Sequence, residues 1–191
     1  MKIRKIAYLS TLFAFLLPTL VVATVVLSYT YPISINPSTQ KIYLAIGPNY
    51  ADAKTMNLVG IGSGWTGGTS EGTYIPSGYK IFLNTTTGSV NTYLLNVLEI
   101  INSTGVSAPT TLWINGSLPS GVTIYYNEGT PISMTSGPGS STPTFNTGTY
   151  SYTPGNPLLI SKGVTTVYLA FVVPGSLSAT STTLYINYQV T

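Results

Sequence analysis

The chain has 191 residues, of which only 6% are charged, against about 25% in ordinary soluble proteins, and it contains neither cysteine nor histidine. Those absences exclude disulfide staples, cysteine- or histidine-ligated zinc and any histidine-based triad, so no catalytic residue, no metal ligand and no cofactor is expected. Lys2, Arg4 and Lys5 sit at the extreme N-terminus; the remaining lysines (41, 54, 80, 162) balance the acids (52, 71, 99, 128), which leaves a neutral body with no basic stripe for nucleic acid.

The first 23 residues read as a secretory signal peptide. A cationic "MKIRK" precedes the 12-residue apolar run "IAYLSTLFAFLL", Pro18 ends the helical stretch, and "VVA" supplies small side chains for cleavage after Ala23. Residues 6–27 are also apolar enough to act as a retained anchor, and a type IV pilin-type start is a further option. Pro18 and the switch to period-two alternation from Val25 oppose the anchor, and Pro18 with the β-branched "VVATVV" opposes the type IV pilin-type start.

From Val25 the pattern changes to strict alternation. Val25, Leu27, Tyr29, Tyr31, Ile33 and Ile35 share one face, as a half-buried β-strand requires. Residues 24–36 are therefore expected to form a strand, set apart from the rest by a polar linker at 37–40. That strand can pair within its own chain or fill the groove of a neighbouring copy through main-chain hydrogen bonds. Its terminal position, the linker and its apolar face favour exchange. Burying six such side chains is worth on the order of 10 kcal/mol before ordering costs. Donor and acceptor surfaces differ, so the contact repeats head to tail.

Residues 41–191 read as one β-sandwich domain. With 30 Thr, 21 Ser, 15 Tyr and 19 Gly the composition suits strands and turns. Expected strands lie at 41–46, 56–61, 79–84, 90–101, 110–115, 121–127, 130–134, 148–153, 164–173 and 182–190. Breakers such as "GIGSGWTGG", "SLPSG", "SGPGSSTP" and "PGNP" separate them. Only "TYLLNVLEII" could pass for a helix, and its β-branched end favours a strand. The fold class is all-β: an antiparallel Greek-key sandwich, pilin- or Ig-like, with an N-terminal donor strand.

Gly62, Gly64 and Gly67 match a dinucleotide fingerprint in spacing, but "TSEGTYIPSG" follows where a helix is needed, so a loop is expected. Trp65 within it is expected to be exposed. The four acids lie on separate segments and select no acid–base pair; Glu99, inside the most apolar run, would need a partner such as a lysine or an isopeptide crosslink if buried. Asn84, Asn102 and Asn115 are glycosylation sequons, each placed where an apolar run ends in a turn.

Taken together, the start "MKIRKIAYLSTLFAFLLPTLVVA", the strand "VVLSYTYPISI" and the Cys- and His-free body ending "TLYINYQVT" resemble the thread pilins of Sulfolobales archaea. The resemblance implies glycosylated subunits of surface filaments, polymerised head to tail by donor-strand complementation and related in architecture to bacterial type I pilins. It also implies dense N-linked glycans and an acidic, hot exterior; the expected partners are neighbouring copies of the chain, with no nucleic acid and with the membrane only transiently during export. Pro32 departs from a regular donor, since it removes one ladder hydrogen bond. The alternative is a monomeric secreted carbohydrate-binding or S-layer-associated module; a hydrolase lacks a nucleophile–base pair.

Overall fold

The computed structural model describes residues 41–85, 90–105, 109–136, 143–177 and 185–190. The signal peptide, Ala23, the strand 24–36 and the linker 37–40 lie outside them. The body is an all-β sandwich of antiparallel strands: β1 (Ile42–Ile46), β2 (Val59–Ile61), β3 (Ile81–Leu83), β4 (Thr92–Asn102), β5 (Thr110–Asn115), β6 (Thr123–Glu128), β7 (Thr149–Tyr152), β8 (Pro157–Ile160), β9 (Thr166–Val173) and β10 (Tyr185–Val190). A five-stranded sheet runs β1-β4-β9-β6-β7, a three-stranded sheet runs β10-β5-β8, and β2 pairs with β3.

Alternation decides which side chains meet between the layers. In β9, Val167, Leu169, Phe171 and Val173 point inward, opposite Ile100, Leu98 and Leu94 on β4 and Ile124 on β6; all are buried. From the second sheet Leu112, Ile114, Leu158 and Ile160 join the same core. At about 1.5 to 3 kcal/mol for each large aliphatic group buried, this contact is what joins the two layers.

The eleven-residue run 92–102 is a strand, and it carries the fold's main irregularity. Leu95 faces Ala170 and Leu98 faces Leu169, so Asn96 and Val97 bulge out of the ladder. Asn96 adopts φ 53°, a left-handed conformation that asparagine tolerates better than most residues. The displaced carbonyls are satisfied by the turn after β1: Gly47 N–H donates to Val97 O (3.1 Å), Asn49 N–H to Asn96 O (3.2 Å) and Asn49 Nδ2 to Leu95 O (3.0 Å).

Three expectations need correction. Residues 50–55 form a short helix, α1 (Tyr50–Thr55), with Tyr50 and Ala53 buried; two apolar residues in six give no visible helical period. The segment 130–134 is not a strand, because Ile132 spends both its main-chain groups on the Asn96 side chain, and only Met134 bridges Phe145. Conversely β8 arises directly from the supposed breaker "PGNP": Pro157 opens an edge strand, where its missing N–H is harmless, and Leu158 and Ile160 turn inward. Among the described residues no helix is long and apolar enough to cross a membrane.

Candidate functional site

Two surfaces of the sandwich carry unusual features. The first is the flank at β10. In register, Ile186 faces Ile114 and Tyr188 faces Leu112, so Ile186 and Tyr188 share the inward face of the three-stranded sheet. Leu112 is 0% exposed, yet Tyr188 beside it remains 38% exposed, and Tyr185 on the opposite face is 61% exposed. Among the described residues the sheet therefore ends at β10 before its inner face is fully covered. On the opposite flank, β7 and β8 are joined by the short turn 153–156 and locked across the layers by Tyr152. That leaves β10 as the edge of the second sheet whose apolar side is half open.

The second surface is the outer face of the five-stranded sheet. The registers align Ala45, Glu99, Tyr168, Asn127 and Thr149 in one row across all five strands. Asn127 Nδ2 donates to Thr149 Oγ1 (3.0 Å) and to Thr147 O (3.2 Å). Glu99 is 1% exposed because the segment 70–75 lies over it. Its Oε1 accepts the Gly72 N–H at 3.0 Å, while its Oε2 is buried with no hydrogen-bond partner. Burial, with the neighbouring Glu71 carboxylate second, pushes the Glu99 carboxyl up to about 7, against the opposing pull of the Gly72 N–H. The buried glutamate thus meets a backbone amide and a second acid, not the lysine its position would invite.

The other acids are disposed separately. Asp52 and Glu71 are exposed, and Glu128, half-buried, accepts the Ser161 N–H through Oε2 at 3.0 Å. Glu71 and Glu99 are the pair that the fold brings together, through a loop-to-sheet contact that leaves no trace in sequence spacing. Among the described residues no group of three or more ligating side chains gathers.

The glycine-rich loop has its own logic. Trp65 is half-buried, not exposed as expected: it packs edge-on against Tyr79 with ring centroids 5.5 Å apart, and Tyr79 donates to Gly64 O at 3.1 Å. A Cβ on Gly67 would lie 2.0 Å from the Trp65 ring, so a glycine there lets the indole fold over the backbone. Beside it opens a groove of about 690 Å³ lined by Ser63, Ser77, Tyr79, Lys80 and Phe82 among others.

Of the sequons, Asn84 is exposed, with Nδ2 donating to Asn57 O (2.8 Å). Asn102 closes β4, half-buried; its Nδ2 donates to Val164 O (3.2 Å) and its Oδ1 accepts from Thr104 Oγ1 (2.8 Å). Asn115 ends β5 opposite Tyr185. The positions Val25, Leu27, Tyr29, Tyr31, Ile33 and Ile35 fall outside the described residues. No protein-family model matches the chain, and neither a curated protein nor a solved structure shows significant similarity to it.

Proposed function

We propose that the chain is a non-enzymatic structural subunit of an extracellular, glycosylated filament, in which residues 24–36 of one copy complete the Greek-key sandwich of the next. The observation that carries this reading is the half-open inner face at β10: five strands face three, and the inward Tyr188 keeps 38% of its surface exposed. An added strand beside β10 would bring its own apolar face over that gap and satisfy the edge main chain, which is strand addition in its simplest form. The alternating face Val25 to Ile35 has the matching period of two. Export through the signal peptide and glycosylation at Asn84, Asn102 and Asn115 belong to the same reading.

Electron microscopy of purified full-length protein tests it: filaments are expected, and removal of residues 24–36 should leave secreted monomers. Filaments that persist after the deletion would refute the exchange. One observation favours the second reading, a monomeric carbohydrate-binding or S-layer-associated module. The groove at the β2–β3 hairpin sets the rings of Tyr79 and Phe82 beside the Ser63 and Ser77 hydroxyls and Lys80, a mixture suited to a sugar. A chain that stays monomeric on gel filtration with residues 24–36 intact, and that binds polysaccharide, would decide for it.

A further inference from the structure

Outside the filament contact, the segment 70–75 forms a cover whose attachment is unusual. It runs along the outer edge of β1 with main-chain pairing: Ile46 N–H donates to Thr73 O (3.0 Å), Gly72 N–H to Ile46 O (2.8 Å) and Ile75 N–H to Leu44 O (3.0 Å). Tyr74 packs edge-on against Tyr43 of β1, ring centroids 5.2 Å apart. These contacts make the segment a short surrogate strand that shields the edge. Beneath it the segment rests on a carboxyl group, and a carboxyl is a poor floor for a loop that carries another carboxylate.

We propose that Glu99 is a proton-binding site and that its proton fastens segment 70–75 over the edge of β1. As a neutral acid, Glu99 uses Oε1 to accept the Gly72 N–H, which it shares with Ile46 O, and leaves only a hydroxyl unpartnered at Oε2. As an anion it leaves a buried charge with a single hydrogen bond, a far costlier arrangement. The groups that face it define the balance. Glu71 comes from the covering segment and Tyr168 from β9, whose hydroxyl is held above its usual range by burial and by the two carboxylates; β1 contributes Ala45, which does not titrate. Ionised Glu99 repels Glu71 and is itself buried with one hydrogen bond, and lifting the segment away relieves both by letting water reach the carboxylate.

The sign follows from linkage. The Glu99 carboxyl is raised from 4.5 to about 7, so the folded state holds the proton more tightly than the unfolded chain. Stability from this site is fully present below about pH 4.5 and is lost as pH rises to about 7. The body is thereby tuned to acid surroundings by one buried group.

Thermal unfolding and hydrogen exchange on the full chain test this. The wild-type midpoint should fall by roughly 5 °C or more between pH 4.5 and 7.5, with faster opening at the Gly72 and Ile75 amides than at Leu169 in the core, beyond the ordinary base catalysis of exchange. Glu99→Gln, which keeps the shape and cannot ionise, should flatten the midpoint profile. Glu71→Gln, at an exposed position, should move the upper end of the loss, near pH 7 in the wild type, down by less than one unit and make the total fall smaller while keeping its sign, because it removes repulsion only. A wild-type midpoint that is constant or rises over this interval, or a Glu99→Gln variant that keeps the wild-type slope, would overturn the proposal. Should Glu99→Gln not fold, the carboxyl of Glu99 followed by NMR in the wild type decides: titration near 4.5 rejects the site, titration near 7 upholds it.

Discussion

Asn96 and Ile132 pair as if the asparagine side chain were a stretch of main chain. Ile132 N–H donates to Asn96 Oδ1 and Asn96 Nδ2 donates to Ile132 O, each at 2.8 Å, with both residues buried. The bulge in β4 makes this possible by turning residue 96 out of the ladder, so that its side chain ties Ile132, in the segment after β6, to β4. Replacing it with alanine would orphan two buried main-chain groups and place a Cβ-bearing residue without amide compensation at φ 53°. We expect Asn96→Ala to cost about 3 to 5 kcal/mol and Asn96→Gly slightly less, since glycine removes only the backbone strain. Denaturant unfolding measures both; a loss below about 1 kcal/mol for Asn96→Ala would show that water replaces the amide.

Gly47 meets the same bulge from the other side. A Cβ there would lie 2.2 Å from Asn96 O and 2.8 Å from its carbonyl carbon, both main-chain atoms that cannot rotate aside. Gly47→Ala is expected to cost about 2 kcal/mol or more by forcing the turn off the bulge. Gly60→Ala is the control, because nothing lies within 4 Å of its added methyl. Its unfolding free energy should stay within about 0.5 kcal/mol of wild type.

The strands were legible where burial on one or both faces imposed a period. "KIYLAI", "TTLWIN" and "VTTVYLAFVV" alternate, with β-branched residues, leucine or phenylalanine at the inward positions, and they appear as β1, β5 and β9. What sequence could not reveal is tertiary in origin. The identity of Ile132's partner is a side chain 36 residues away, and Glu71 meets Glu99 only because 70–75 folds over β1. Glu99 itself was conspicuous as an acid in an apolar run, but whether it met a cation or another acid depends on which loop covers it. β8 was hidden because Pro157 reads as a breaker unless the strand is known to lie at an edge.

Tyr152 ties the two sheets together with a single hydroxyl. It belongs to β7 of the larger sheet, accepts the Ile114 N–H of β5 at 2.8 Å and donates to Asn156 O at 2.7 Å. Tyr152→Phe keeps the ring in the core but strands a buried N–H and a carbonyl, which should cost about 1 to 3 kcal/mol. Tyr150→Phe on the same strand, 60% exposed, should be silent. Equal losses from the two would mean that the cross-layer bond contributes nothing net.

Under the proposed strand exchange, residues 24–36 of one copy lie beside β10 of another, and the chain offers a clean way to detect this because it has no cysteine of its own. Single cysteines placed at Val25, Leu27, Tyr29, Tyr31, Ile33 or Ile35 in one population, and at Tyr188 in a second, can form a disulfide only between different chains when the populations are mixed before assembly. A strand rises about 3.3 Å per residue and its side chains alternate, so one or two neighbouring inward positions should crosslink to residue 188 and the rest should not. The pattern reports register as well as contact. Crosslinks at a restricted pair of positions would place the donor in the half-open flank; uniform reactivity would indicate chance collision, and none at all, in material that still forms filaments, would move the acceptor groove away from β10. Chains carrying Tyr188→Lys and no cysteine should polymerise poorly while each subunit keeps its unfolding free energy to within about 0.5 kcal/mol, since that side chain is already partly exposed in the single chain and loses little there.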